Sequence, residues 1–286
     1  MTSTTGTGAP TPAQACASYA QAICARVATC TPFSVSVTWG DTATCAKEIA
    51  AGCTGDLGTD GITATASSLS ACATAISSLD CKSFASGALP ADCAPIATGS
   101  RANGASCAGA NQCMSGFCQP PAMPGCGQCA TPPNAGDACA GGACGPGLYC
   151  NAQMKCAAPL ADGTTCKTGT DACASGACIQ GKCGAPLESG AHCVPADVAC
   201  DGGKGLACNP VSGTCKPILL AAANGMCGYN MTTGDLTFCK AGLLCNQGSC
   251  VAGALDGATC TTMPDNCVFG EHCTSSQCTA AEPLCM

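Results

Sequence analysis

Cysteine is the residue that could supply the widest range of chemistry in this chain: 34 of the 286 residues are cysteine. A thiol can act as a nucleophile, as a ligand for a soft metal ion or as one half of a disulfide. At about 12 % of the chain, cysteine is more frequent than in reduced cytosolic proteins or in ordinary apolar cores. The even count is typical of a fully oxidised chain. The cysteines therefore predict a disulfide framework in an oxidising, extracellular compartment.

Catalysis by these thiols would need a neighbouring base. The chain has two histidines, His192 and His272, and each directly precedes a cysteine. Neither is surrounded by a nucleophile or carboxylate motif, and an oxidised cysteine cannot serve as a Cys–His nucleophile. We interpret both histidines as structural and predict that the protein is not an enzyme.

Metal and redox chemistry have one candidate motif, the Cys-x-x-Cys pair of Cys126 and Cys129. The sequence shows neither a second such pair nor alternating strands and helices around the first, so we expect neither a zinc site nor a redox dithiol. Asp201 and Asp256 each open a glycine turn but lack the oxygen-ligand spacing of a calcium loop. The sequence predicts no metal and no cofactor.

The composition limits both the core and the partners. Ile, Leu, Val and Phe together number 35, too few for a sizeable apolar core. Disulfides are the remaining way to offset chain entropy, at ~2–4 kcal/mol each. The net charge of −7 contains no basic run, which argues against nucleic acid or an anionic membrane as a partner. No stretch approaches the ~20 apolar residues that span a bilayer.

Residues 1–12 are small, polar and proline-containing, which predicts a flexible tether. No signal peptide is visible, so we expect that a leader has been removed and that Met1 replaces it. A tether of this kind would follow the lipidated cysteine of a bacterial lipoprotein. A lipid anchor in the full-length precursor is therefore an open alternative.

Residues 13–98 are predicted to form a helical head domain. Thr11 and Pro12 supply an N-cap and a first helical residue for a helix of about 17 residues. Two further helices are expected, from residue 41 to about residue 52 and over residues 63–79. Four disulfides would hold these helices together, formed among Cys16, Cys24, Cys30, Cys45, Cys53, Cys72, Cys81 and Cys93.

Residues 99–286 repeat themselves with a period of 27 to 34 residues between first cysteines. Each unit opens with a turn dipeptide that ends in glycine, which is typical of a tight turn. We predict six short β-hairpin units, beginning near residues 104, 136, 163, 190, 225 and 257. The connectors between units have steps of 10, 10, 10, 12 and 10 residues, often with a Pro-Leu pair. This constancy predicts that each unit docks on its neighbour, giving an elongated, semi-rigid rod.

The repeats resemble a known type. The cysteines Cys144, Cys150 and Cys156 enclose Gly147-Leu148-Tyr149, an arrangement echoed at residues 242–250 and similar to the cysteine-rich repeats of the Dickkopf amino-terminal signature. Residues 16–32 are similar to the helical head that precedes such arrays in secreted or surface proteins of GC-rich bacteria. The resemblance covers most of residues 13–285 and implies a secreted repeat protein. Dickkopf proteins bind receptors, but only scaffold positions match here.

Two cysteines exceed the count of four per unit: Cys126 and Cys285. They are candidates for bridges between units or between molecules. We favour a staggered scheme, in which neighbouring units share bridges and these two cysteines open and close the ladder. The alternative is a disulfide-linked filament that joins molecules head to tail.

The fifth unit has a longer loop than the others. Its first and second cysteines are 12 residues apart, against 5 to 7 elsewhere, and the insert spans residues 228–238. A long loop on a rigid scaffold is a candidate binding site. Its candidate binding residues are Tyr229, Met231, Leu236 and Phe238. We favour the simpler interpretation of a longer hairpin that packs on the next unit.

The sequence thus predicts a small disulfide-rich fold, an α-helical disulfide-stapled head followed by a tandem array of β-hairpin repeats with little hydrophobic core. The predicted role is structural or adhesive, at the cell surface or outside the cell, with itself or a matrix component as partner. One alternative is a protein- or glycan-binding module that uses the head or the fifth-unit loop. Another is a protease inhibitor with a cleavage-site residue among Lys167, Lys182, Lys204 and Lys240.

Overall fold

A computed structural model describes residues 9–85, 87, 89–120, 126–139, 142–195, 199–253, 258–259, 271–274 and 277–280. Helices come first and short antiparallel strand pairs follow, which confirms the predicted small disulfide-rich fold. Cysteine supplies 18 of the 27 buried apolar residues in the described part of the chain. Sulfur therefore takes the place that aliphatic side chains hold in an ordinary core.

Six α-helices lie among the described residues of the first hundred. Their bounds are α1 Pro12–Cys30, α2 Pro32–Thr38, α3 Thr42–Asp56, α4 Ala66–Ser77, α5 Cys81–Ala85 and α6 Ala94–Ala97. The three predicted helices correspond to α1, α3 and α4. The sequence prediction missed α2, although Thr31 and Pro32 repeat the Thr-Pro start of α1.

Reciprocal caps set the starts of two helices. The Thr11 N–H donates to Gln14 Oε1 at 3.0 Å, and the Gln14 N–H donates to Thr11 Oγ1 at 3.3 Å. Thr65 and Ser68 make the same exchange before α4, at 2.9 and 3.1 Å. Each pair satisfies two backbone donors that the first helical turn leaves without partners. The cap at Thr65 also explains why α4 begins three residues later than predicted.

Short strands fill the rest of the described chain. Their bounds are β1 Ser106–Cys107, β2 Cys118–Gln119, β3 Gly127–Cys129, β4 Tyr149–Cys150, β5 Cys156–Ala157, β6 Ala177–Ile179, β7 Lys182–Gly184, β8 Leu206–Asn209, β9 Thr214–Pro217, β10 Leu219–Ala221, β11 Gly228–Tyr229, β12 Leu236–Cys239, β13 Leu243–Asn246, β14 Ser249–Ala252, β15 Glu271–Thr274 and β16 Gln277–Ala280. They form five two-stranded sheets and two three-stranded sheets, β1-β3-β2 and β10-β12-β11.

One plan recurs in the repeats. A hairpin places the third cysteine directly opposite the last, as in the pairs of Cys178 with Cys183 and of Cys208 with Cys215. The glycine that opens the unit donates its N–H to the carbonyl of the last cysteine. This bond measures 2.7–2.8 Å at Gly104, Gly136, Gly163 and Gly190. The opening segment of each repeat therefore lies along its hairpin as a third strand.

Contacts divide the chain into two compact units. In the described chain, the first unit contains residues 9–26 and 42–132, and the second contains residues 27–41 together with the repeats from residue 133 onward. The first unit thus joins most of the helices to the first repeat, and the second joins α2 to the later repeats. The domain boundaries drawn from the sequence stay a prediction.

In the first unit, a buried amide connects the first repeat to the loop before α4. Gln112 is 3 % exposed, and its Nε2 donates to the Asp60 carbonyl at 3.0 Å while its Oε1 accepts from the Ala108 N–H at 2.7 Å. The Arg101 guanidinium donates to the Asp60 carboxylate at 2.8 Å and to the Ser106 carbonyl at 2.6 Å. Because the Asp60 carboxylate is largely exposed, the buried amide contributes more than the ion pair.

Candidate functional site

The disulfides of the repeats close within each unit. In every repeat from the second to the fifth, the first cysteine pairs with the third and the second pairs with the fourth. The first repeat follows the same scheme through Cys107–Cys118 and Cys113–Cys129. The predicted staggered scheme is wrong for these ten bridges. The reason is the three-stranded plan, which brings all four cysteines of a unit together before a neighbouring unit is needed.

The two bridges of each repeat lie against each other. In the first five repeats, three cysteine Sγ atoms lie within 4.8 Å of one another. Such clusters have the donor spacing of a soft-metal site, but a metal takes thiolates rather than disulfide sulfurs. Together the paired bridges form the buried centre of the repeat.

Disulfides in the helical region connect separate helices. Cys16–Cys53 and Cys24–Cys45 both join α1 to α3. Two cysteines on each helix, eight residues apart, lie on the same face and therefore make two parallel crosslinks between antiparallel helices. Cys72–Cys93 ties α4 to the chain before α6, and the remaining two head cysteines, Cys30 and Cys81, are also disulfide-bonded.

The Cys-x-x-Cys pair is divided between different bridges. Cys129 is bonded to Cys113, and Cys126 is disulfide-bonded too. A redox dithiol would need these two sulfurs to face each other. Cys285 lies outside the described residues, so the role predicted for Cys126 and Cys285 in bridges between units or molecules stays a prediction.

The connectors are part of the repeats that follow them. Leu160 pairs with the third repeat in a parallel bridge, donating its N–H to Ala172 at 2.8 Å and accepting from Ala174 at 2.9 Å. Its side chain packs on the bridge cluster of that repeat. Leu187 repeats this arrangement in the fourth repeat. In the third and fourth repeats the Pro-Leu step therefore completes the core of the unit that it precedes, which gives a physical reason for the equal length of these two connectors.

The long loop of the fifth repeat is anchored on the preceding repeat. Asn209 is 2 % exposed, and its Nδ2 donates to the Thr233 carbonyl and to Asp235 Oδ1, both at 3.0 Å. Its Oδ1 accepts the N–H groups of Val211 and Ser212 at 3.0 and 2.9 Å. Every donor and acceptor position of this amide is used. The predicted longer hairpin is present as β11 and β12, and it packs on the fourth repeat. Most of the sixth repeat lies outside the described residues, so its predicted packing on the next unit stays a prediction.

The four candidate binding residues of this loop have different surroundings. Tyr229 and Met231 are 54 % and 89 % exposed. Leu236 is partly buried opposite Tyr229 in the strand pair. The Phe238 ring contacts Phe33 of α2, with ring centroids 5.8 Å apart. The loop therefore offers Tyr229 and Met231 to a ligand, while Phe238 is partly used by an internal contact.

Phe33 is a packing residue that the sequence analysis missed. Its ring lies against Gly205, where an added Cβ would come within 2.5 Å of Phe33 Cδ2. Gly205 also has a positive φ of 73°. The Thr31-Pro32 helix start could have placed Phe33 on a short helix, but no local signal points to its contact with Gly205.

His192 and the four lysines considered for protease inhibition lie in strands or turns. His192 belongs to the opening segment of the fourth repeat, where it pairs with Thr214 of β9 and its ring lies beside Gly213. The side chain of His272 lies outside the described residues. Lys167 and Lys240 lie in turns closed by hydrogen bonds to their own carbonyls. Lys182 belongs to β7 and Lys204 to a 3₁₀ turn. None has the free extended backbone with which an inhibitor pairs to a protease.

These features define a disulfide-rich protein of the extracellular type, with a structural or a binding role. Comparisons with protein-family models, with curated proteins and with solved structures gave no match. The resemblance to Dickkopf-type repeats therefore stays a prediction. Within the part of the chain that the structure describes, no helix has the length and apolar character to cross a membrane.

Proposed function

We propose that this chain is a secreted or surface-attached, non-enzymatic structural protein with an adhesive role. The observation that carries the proposal is the self-closing repeat: two bridges seal each of the first five repeats, and in the third and fourth repeats a connector leucine packs on those bridges. A structural protein outside the cell must keep its shape without a large apolar core and must resist proteases. Self-closing repeats meet both requirements.

The loops closed by these bridges support durable local structure. Cysteines paired within the repeats are 10 to 18 residues apart. Each such crosslink contributes about 3 kcal/mol by restricting the unfolded chain. Unless its bridges are reduced, an unfolded repeat stays crosslinked and gains little conformational entropy. Unfolding of an oxidised repeat is therefore unfavourable.

Reduction under native conditions tests this proposal. Oxidised protein should resist a broad-specificity protease, and thiol-reduced, alkylated protein should be cleaved throughout the repeats and lose its tertiary circular dichroism. Reduced protein that kept its protease resistance would contradict the structural role of the bridges.

The more specific part of the proposal is the partner, which is either a second copy of this chain or a matrix component. Light scattering on oxidised protein measures self-association directly, and intact mass under non-reducing conditions separates covalent from non-covalent assembly. Multimers that disappear on reduction would indicate disulfide links between molecules. A monodisperse monomer at all concentrations would instead favour a binding module.

A binding module is the second candidate function, favoured by the anchored loop of the fifth repeat. Asn209 fixes the loop backbone on the fourth repeat, so that Tyr229 is presented from a rigid support. Binding of the oxidised monomer to purified glycans or matrix proteins, lost when Tyr229 is changed to Ala, would support this candidate.

A further inference from the structure

A cleft of about 380 Å³ lies among the third, fourth and fifth repeats. Its lining includes the apolar residues Pro186, Pro195 and Leu206, the half-exposed Tyr229, and Asp201 with the glycines at residues 202 and 203. Small-molecule sites have volumes of roughly 300–1,000 Å³. The cleft therefore has room for a small ligand.

Two parts of the described cleft lining are held in place by bridges and hydrogen bonds. Cys200 and Cys208, which line it, belong to the two bridges of the fourth repeat. Tyr229 lies in β11, paired with β12, and the turn beyond it is fixed by Asn209. A preformed site loses less conformational entropy on binding than a flexible one does.

The charges around the cleft select against anionic ligands. Lys204 Nζ lies 2.6 Å from Glu188 Oε1 and 3.4 Å from Asp201 Oδ2. This cluster keeps one carboxylate charge in excess, in a chain whose net charge is already −7. Among the described residues, the Asp201 carboxylate makes two hydrogen-bonded or ionic contacts, to the Lys204 N–H and to Nζ. A carboxylate can accept about four hydrogen bonds, so it retains capacity for hydroxyl donors.

We propose that this cleft binds a neutral mono- or disaccharide unit of a glycan. A sugar ring presents an apolar C–H face, which fits the half-exposed Tyr229 side chain and the prolines of the lining. It also presents a rim of hydroxyl groups, which can donate hydrogen bonds to the Asp201 carboxylate. The proposal rests on the binding function offered above as the second candidate. It adds the location of the site and the chemical class of its ligand.

The test uses the oxidised full chain and three neutral probes: cellobiose, maltose and N,N′-diacetylchitobiose. Saturation-transfer NMR followed by titration should show saturable binding of at least one of them. Tyr229→Ala should weaken that binding by about tenfold, and Tyr229→Phe should preserve it, because the ring face and not the hydroxyl makes the contact. Tyr149→Ala is the matched control, since Tyr149 lies in β4 of the second repeat, away from the cleft lining.

Asp201→Asn is a second variant that separates hydrogen bonding from folding. Asn also accepts the Lys204 N–H as a cap, so the 3₁₀ turn should persist while sugar affinity falls. Its near-native circular dichroism is the folding check.

Three outcomes would overturn the sugar proposal. The first is a folded protein that binds none of the neutral probes, and the second is equal or tighter binding of a uronic-acid disaccharide. The third is saturable binding of a proline-rich peptide alone. Sugar binding that Tyr229→Ala does not change would reject this cleft and leave the wider binding function standing.

Discussion

The helical region and the repeats use disulfides over different distances along the chain. In the helical region, Cys16–Cys53 spans 37 residues and joins two helices that also share an apolar cluster around Leu69. In the repeats no described bridge spans more than 18 residues, and the bridges are themselves the cluster. Loss of one long bridge should therefore weaken a whole region, whereas loss of one short bridge should weaken one repeat.

Removing one bridge from each region is the strongest test of this comparison. Replacing both Cys16 and Cys53 by Ala should cost about 4 kcal/mol, and replacing both Cys166 and Cys178 about 3 kcal/mol, because the closed loop is longer in the first case. The first variant should lower the melting temperature of the helical circular dichroism signal at 222 nm.

The second variant provides the matched control. It should leave that helical transition unchanged and open new protease cleavage sites inside the third repeat only. Equal loss of helical signal in both variants would show that the two regions unfold together and that the distinction between them is false.

Gly205→Ala tests the contact by which α2 is linked to the later repeats. The new Cβ would meet the Phe33 ring, so the variant should lose about 3 kcal/mol of stability, from steric overlap and from the positive φ. Gly147→Ala is a close control, because Gly147 occupies the equivalent position in the second repeat with the same φ of 73°. A Cβ added there would have no atom within 4 Å apart from its chain neighbours. It should cost about 1 kcal/mol. Denaturant midpoints measure both, and equal losses would rule out the Phe33 contact as a source of stability.

Asn209→Ala tests whether one repeat orders the loop of the next. Removing this buried amide leaves the Thr233 carbonyl without its partner and should cost about 2 kcal/mol. Amide hydrogen exchange should accelerate across residues 230–235. Asn151→Ala, at the corresponding position of the second repeat, loses only local turn bonds and should cost less than about 1 kcal/mol. Unchanged exchange in the Asn209 variant would mean that the loop holds its own shape.

The smallest expected effect is a pH response at the short helix α5. The Ser83 hydroxyl and backbone N–H donate to the Asp80 carboxylate and hold the pKa of this carboxyl below its ordinary value of 3.8. Because the folded pKa is lowered, the cap is fully effective above pH 3.8 and is lost as the pH falls through the folded value. The Ser83 amide resonance should shift in that window and should not shift in Asp80→Asn. A shift centred above pH 3.8 would contradict the assignment.

The parts of this fold that the sequence predicted well are those encoded by neighbouring residues. The glycine turn and the cysteines at short spacing specify each hairpin, and Thr11-Pro12 marks the start of α1. The pairing of the cysteines could not be settled in this way, because a constant connector length fits both shared and self-closed bridges. The pairing is decided by the opening segment of each repeat, which lies along the hairpin as a third strand and brings the four cysteines of the unit together.

Contacts between distant residues account for what the sequence analysis missed. Phe33 and Phe238 lie far apart along the chain, and neither position carries a local signal for the other. Asn209 was equally inconspicuous: an Asn before Pro suggests a turn, but not that its amide reaches the backbone of the next repeat. Of the candidate loop, the sequence located the insert and its aromatic residues, and the structure supplied the support beneath them.

Self-closed bridges also bear on how such a chain is made. A repeat that contains both cysteines of each of its bridges can be oxidised as soon as its own last cysteine reaches an oxidising environment, without waiting for later sequence. The α1–α3 pair must wait until Cys53 has emerged. Oxidation of one repeat after another along the chain keeps the number of unpaired thiols small at every moment. It also means that a repeat can be duplicated or deleted during evolution without leaving its neighbours with orphaned cysteines.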